Sequence, residues 1–219
     1  AYQDWLDAFW AKDILELFRL ERRASFLRFA ELLFAQSGGI FEATRFSAPC
    51  EVSRTTIANY LAVLEATFVA HVIRPYSARR AMEIVAAPRV YAFDTGFVCM
   101  FRGTIRLTPE DRGSLWEHLV LNELHAHLQR RDIMYWRDKR GNEVDFVVPQ
   151  RREGPIAIEC KLSSDAFDPS GMAMFRKRYP RGRNYVAVAD TPSFVERRFG
   201  GMNVKFVNLL NLVAELAAG

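Results

Sequence analysis

Apolar residues recur at three- and four-residue intervals in "DWLDAFWAKDILELF" (4–18) and "ASFLRFAELLFAQSGG" (24–39). That is the rhythm of amphipathic helices, and Gly38-Gly39 stops the second one. "FEATRFSAPCEV" (41–52) predicts a short helix and a turn. "SRTTIANYLAVLEATFV" (53–69) predicts a longer helix with Ser53 as its N-cap, and the strand-like "AHVIRPYS" (70–77) follows. Helix, turn, helix and strand in that order is the arrangement of a winged helix, so residues 1–85 are expected to form a helical winged-helix domain. Arg54, Thr55, Thr56 and Asn59 then fall at the exposed start of the helix that would enter a DNA groove. A helical packing module that touches no DNA has the same pattern.

Residues 86–219 are expected to form a second domain. "PRVYAFDTGFVCMF" (88–101) predicts a strand and a helix, and 102–112 reads as a loop. Asp94-Thr95-Gly96 matches the aspartic-protease triplet but occurs once, where that chemistry needs two carboxylates, so Asp94 is assigned to a helix cap. From Gly113 the periodicity switches through α-β-β-β-α-β and a last helix. "GSLWEHLVLNELHAHLQRR" (113–131) is the first helix. "IMYWR" and "EVDFVV" form a hairpin around "DKRGN", and "IAIECKL" (156–162) is the third strand. The fold class is α/β.

Charges interrupt these apolar strands. Side chains alternate faces, which puts Glu143, Asp145 and Val147 on one side of "EVDFVV" and Ala157, Glu159 and Lys161 on one side of "IAIECKL". Glu117 lies at the edge of the apolar helix stripe formed by Val120, Leu121, Leu124 and Leu128, aimed at whatever the helix packs against. His118, Asn122, His125 and Gln129 fall on a polar face expected to meet solvent. Asp145, Glu159 and Glu117 brought together would repel unless one were protonated or a cation intervened. Hard carboxylate oxygens suit Mg²⁺ or Mn²⁺, so the three acids are candidate metal ligands and Lys161 a catalytic assistant. The competing reading makes Asp145 a hairpin cap and Glu159 with Lys161 a solvated ion pair. Glu143 takes a minor supporting role, and Cys160 belongs to the core. Arg137, Lys139, Arg140, Arg151 and Arg152 surround the strand ends and could contact phosphates.

Composition narrows the function classes. The 30 Lys and Arg exceed the 26 Asp and Glu by enough to leave a net charge of +4. Up to residue 85 the charges balance, so the excess lies beyond it, which permits nucleic-acid binding. Three scattered cysteines with no C-x-x-C pair argue against a disulfide framework or structural zinc and fit a reducing cytoplasm. No apolar run is long enough for a membrane span, and no secretory signal is expected in these residues. No G-x-x-x-x-G-K-[ST] loop occurs, so no ATP site of that kind is expected in these residues.

A helical Glu, an Asp on the second strand and "ECK" as Glu-x-Lys on the third resemble the PD-(D/E)XK nucleases, in the form found in archaeal Holliday-junction resolvases. A wider resemblance rests on "FAQSGGIFEATRFS", "TTIANYLAVLEATFVAHVIRPYS", "PRVYAFDTGF", "LWEHLVLNEL" and "YWRDKRGNEVDFVV" with "IAIECKLSS". These segments look like the C-terminal half of a family of bacterial and archaeal AAA+-type ATPases. The resemblance implies a winged helix followed by a restriction-endonuclease-like domain, with a P-loop ATPase module upstream of this chain. Expected partners are DNA and that ATPase; homo-oligomerisation is left open. Expected functions are a divalent-metal-dependent DNA phosphodiesterase or, alternatively, a catalytically silent module that binds DNA or protein and regulates the ATPase.

Overall fold

The computed structural model describes residues 22–77, 87–150, 152–191 and 194–218. The helix expected over 4–18 and the phosphate candidate Arg151 lie outside the described residues. The chain is mixed α/β and divides into two units. The first runs to Val72 and resumes over Ala87–Arg106; the second takes in Ile73 onward and then Leu107 to the end.

In the first unit, α1 (Arg23–Ala35), α2 (Ala43–Ser47) and α3 (Arg54–Ala66) are followed by the start of β1 (Ala70–Pro75), then β2 (Arg89–Ala92) and α4 (Thr95–Arg102). Its core is aromatic. Phe29 meets Phe46 and Phe41 edge-on, Phe41 stacks on Phe46, and Phe26 meets Tyr60 edge-on. Ser53 caps α3 as expected, its side chain accepting the Thr56 amide at 3.1 Å. Asp94 likewise caps α4, accepting the amides of Gly96 and Phe97.

Residues 87–106 were expected in the second domain, but they group with α1. The Ala92 amide donates to the Ser37 hydroxyl at 2.7 Å, and Arg102 donates to the carbonyls of Ala35 and Ser37. Such pairings are set by tertiary packing and leave no local mark in the sequence.

The second unit contains the end of β1, then α5 (Pro109–Leu128), β3 (Met134–Arg137), β4 (Glu143–Val148), β5 (Ile156–Lys161), a 3₁₀ turn (Ser164–Ala166), α6 (Ser170–Arg178), β6 (Asn184–Val188), β7 (Val195–Phe199), β8 (Met202–Val207) and α7 (Leu209–Ala217). Its strands run in the order β1-β3-β4-β5-β6-β8-β7. The β3–β4, β4–β5 and β7–β8 pairs are antiparallel; β1–β3, β5–β6 and β6–β8 are parallel. Met172 and Phe175 of α6 share an apolar cluster with Trp136, Val144, Val147, Ala157, Val186, Val188 and Phe206 on one face. Helices α5 and α7 pack together and against β5 and β6.

Two elements depart from expectation. Helix α5 starts at Pro109 rather than Gly113, inside the expected loop, because Thr108 and Asp111 form a reciprocal capping box with proline in the first turn. Strand β7 was missed: all but its last residue are exposed and three of the five are charged, so it carries no apolar alternation to read.

Candidate functional site

The site begins with an irregularity in β4. Trp136 pairs with Val144 but Met134 pairs with Val147, so between these pairs one residue of β3, Tyr135, faces two of β4, Asp145 and Phe146. Val144 and Val147 therefore share the α6 face, although strict alternation puts them on opposite faces. The expected separation of Val144 from the face of Glu143, Asp145 and Val147 fails here. The extra residue forms a bulge at Asp145 and Phe146, and a bulge re-aims a side chain without disturbing the rest of the ladder. The β4–β5 ladder is regular from Phe146, opposite Ile158. One position further on, the Asp145 carboxylate accepts the Cys160 backbone N–H at 2.8 Å. It caps its neighbour strand by standing in for a main-chain carbonyl.

On β5 the alternation holds. Ala157 lies in the α6-face cluster, so Glu159 and Lys161 follow it onto that face. The Lys161 ammonium donates to the Glu159 carboxylate at 3.0 Å. Asp145 is 8% exposed and Glu159 5%, and the Lys161 side chain 27%, so the Glu159–Lys161 pair is largely withdrawn from solvent. Burial, and then the charge of Asp145, push the Glu159 carboxyl up to about 8 against the pull of Lys161. Burial works against the Lys161 ammonium, but Asp145 and Glu159 outweigh it and hold the lysine above its ordinary range. Burial and Asp145 thus favour the protonated form of Glu159, and Lys161 opposes them.

Glu117 comes from the other side. Helix α5 packs on β5 against the face opposite α6, where His118, Val120, Leu121 and Leu124 are buried. Cys160 occupies that face. Burial pushes its thiol up, followed by the carboxylates of Asp145, Glu117 and Glu159, so all three acids lie within electrostatic reach of it. Among the described residues, however, no group of three His, Cys, Asp or Glu side chains is arranged to hold a metal ion. Asp145, Glu159 and Glu117 are the acids around Cys160, the first two on strands and the third on α5.

His118 is also placed differently from expectation. It is 1% exposed, with Nδ1 2.7 Å from the Ser114 carbonyl oxygen. His125 is half-buried beside the Arg130 carbonyl oxygen, and burial lowers its pKa. These rings fill the volume around the α5 stripe, and Leu119 is exposed instead.

The basic residues expected around the strand ends separate into two groups. Arg137, Lys139 and Arg140 are exposed on the β3–β4 turn, at the Asp145 end of β4. That turn is fixed by Asp138, whose Oδ1 accepts the amides of Arg140 and Asn142. Arg137 lies 3.9 Å from Glu143, whose charge in turn raises Glu159. Arg152 is exposed in the β4–β5 connection, at the opposite end of those strands. Antiparallel pairing separates successive turns by a full strand length, which a linear reading of basic residues does not register. In the first unit Arg54, Thr55 and Asn59 are exposed on α3, beside its capped N-terminus.

Sequence reasoning missed two neighbours of the cluster. Asp168, just before α6, lies within reach of the Lys161 charge, while its own carboxylate is held down first by the Ser170 amide. Gly171 brings α6 against β4, so that a Cβ there would overlap the Glu143 carbonyl oxygen. Neither has a local signal, because each acts across the fold on a residue of another element.

Residues 1–108 match a family described as Domain of unknown function (DUF8612), and residues 112–203 match Domain of unknown function (DUF4143). The border between the matches falls beside Arg106, where the first unit closes. The chain is 27% identical over 169 residues to Uncharacterized protein Mb2031c of Mycobacterium bovis and Uncharacterized protein Rv2008c of Mycobacterium tuberculosis. The alignments cover 75% of this chain and 38% of each relative, so the chain spans well under half the length of these curated relatives. No solved structure matches it. Among the described residues, no helix is long and apolar enough to cross a membrane.

Proposed function

We propose that the second unit is a restriction-endonuclease-like domain acting as a divalent-metal-dependent DNA phosphodiesterase, and that the first is a winged helix presenting Arg54, Thr55 and Asn59 to DNA. The observation that carries the reading is the grouping of the buried Asp145 and Glu159 with the partly buried Lys161 around a β4 bulge. Two buried hard-oxygen carboxylates suit Mg²⁺ or Mn²⁺, which bind through one or two carboxylates completed by water and substrate phosphate. Such an ion, when bound, supplies a Lewis acid for a phosphoryl oxygen and a more acidic water. Asp145 and Glu159 would hold it, Glu159 giving up its proton in doing so. Lys161 keeps positive charge beside the reacting phosphate, fixed in place by Glu159. Arg137, Lys139 and Arg140 would engage the flanking backbone from the β3–β4 turn. Relatives much longer than this chain are compatible with an ATPase module upstream, which we assign to the same proposal.

Incubation with linear, branched and single-stranded DNA in Mg²⁺ tests the activity. Cleavage lost in Glu159→Ala and Lys161→Ala supports it; cleavage retained in both removes the assigned roles. The second reading is a silent DNA- or protein-binding module that regulates the ATPase. DNA binding without cleavage by any of the three substrates would select it.

A further inference from the structure

At the C-terminal end of α6, away from the cluster, the second unit has a groove of about 650 Å³ between α6, the start of β6 and the β7–β8 turn. Its charged lining is Arg176, Lys177, Arg183 and Lys205 against one acid, Glu196. Two of these cations are already tied: Arg183 lies 3.8 Å from Glu153, and Lys205 lies 3.1 Å from Glu215. The others are not. Arg176 spends its guanidinium on neutral oxygens, those of Asn184, Tyr179, Arg181, Pro155 and Arg183. It meets no carboxylate among the described residues, and burial lowers it to about 10. Lys177 of the lining, and Arg178 and Arg181 beside it, are exposed and stand in no ion pair among the described residues. The helix dipole accounts for cations on the last turn of α6. It does not account for Arg181 beyond the helix. Across the groove, added Cβ atoms at Gly200 and Gly201 would meet nothing within 4 Å, so the backbone there is open to close approach.

We propose that this groove binds the sugar–phosphate backbone of a nucleic-acid strand. The inference rests on the reading that DNA is the substrate, and extends it by giving the strand a second anchor. Helix α6 joins the two places: its first turn touches Glu143 beside the cluster, and its last turn carries Lys177. Nine residues of helix span roughly 13 Å at 1.5 Å per residue, about four base-pair steps of 3.4 Å along a duplex axis. A strand held at both ends of α6 crosses the cluster at a fixed register, which positions one phosphodiester.

The test measures binding of a fluorescein-labelled 20-base-pair duplex to the full chain in EDTA, where no cleavage occurs, across a salt series. The variant is Lys177→Glu with Arg181→Glu, both exposed, with an unchanged melting temperature as the control for folding. The expected result is at least a tenfold loss of affinity at low salt and a log–log salt slope reduced by about 2, near 0.9 per lost phosphate contact. Affinity within twofold of wild type at an unchanged slope would overturn the groove. So would competition by polyglutamate equal to that by DNA at matched charge, which marks a general polyanion surface. Cleavage in Mg²⁺ reports on the cluster and the salt slope in EDTA reports on the groove, so the two proposals fail separately. If no protein cleaves, the salt slope still decides for or against the groove, because binding in EDTA does not depend on the metal.

Discussion

The Asp145 carboxylate accepts the backbone N–H of Cys160 at 2.8 Å, across the point where the β4–β5 ladder would otherwise continue. The acid is therefore both a structural acceptor and the charge that sets Glu159. The two roles separate chemically. Asp145→Asn keeps an oxygen for the Cys160 amide and loses the charge. Asp145→Ala leaves that amide without its acceptor, at a cost of about 1–3 kcal/mol. Urea denaturation is expected to rank the alanine variant below the asparagine variant. Equal stabilities would mean that the hydrogen bond contributes nothing.

Glu159 makes the fold sensitive to pH in a definite direction. Its carboxyl titrates near 8 when folded and near 4.5 as a free side chain. Between those values the folded chain holds a proton that the unfolded chain has released, so stability present below pH 4.5 is lost as pH rises toward 8. The slope is at most about 1.4 kcal/mol per pH unit. Glu159→Gln is expected to flatten the profile between pH 5 and 8 and to be relatively most stable at the upper end. Parallel profiles for the two proteins, read by denaturant midpoint, would locate the titration elsewhere.

A divalent cation and a proton compete for the same Glu159 oxygens. If Asp145 and Glu159 are the ligands, Mn²⁺ raises the melting temperature more at pH 8 than at pH 6, and not at all in Asp145→Asn. At a hundredfold excess over the dissociation constant the stabilisation is about 2.7 kcal/mol. An equal shift in the asparagine variant places the ion at another site.

The parts that could be read from the sequence were those specified locally. Ser53 and Asp94 announce their helices by side-chain type and spacing, and "IAIECKL" places Glu159 and Lys161 on one face because β5 alternates without interruption. The bulge at Asp145 is different: one residue of β3 opposes two of β4, and neither segment alone encodes that mismatch. His118 shows the same limit. Helical periodicity puts it on a polar stripe, but the packing around α5 covers that stripe and leaves Leu119 outside. The position of Glu117 depends on which sheet face α5 chooses, and a helical wheel cannot specify it.

Arg176 is expected to be the residue of the α6 end least tolerant of change. Its fork closes on carbonyls at both ends of the 178–184 connection. Arg176→Lys keeps the charge but cannot make the divergent bonds, and leaves several carbonyls without donors. A loss of about 2–4 kcal/mol is expected in chemical denaturation, with little recovered by salt. A loss below about 0.5 kcal/mol, the low end for a hydrogen bond, would show that solvent replaces these bonds without cost.

Two glycines give opposite answers to the same substitution and so test how α6 is seated. Gly113 lies within α5, and an added Cβ meets nothing within 4 Å. Alanine there removes a flexible residue from a helix interior and is expected to stabilise the chain by roughly 0.5–1 kcal/mol. Gly171 lies in the first turn of α6, where the same methyl would overlap the Glu143 carbonyl oxygen. Backbone cannot swing aside as a side chain can, so Gly171→Ala must lift α6 from β4 or shift the start of β4 itself. Either movement displaces the strand that carries Asp145. The expected result is a loss of about 1–3 kcal/mol, together with a changed pH profile of stability between 5 and 8. A destabilised variant with an unaltered profile would mean that α6 moves as a rigid piece without disturbing the acids. An undiminished stability would mean that the helix is not held against β4 at Gly171.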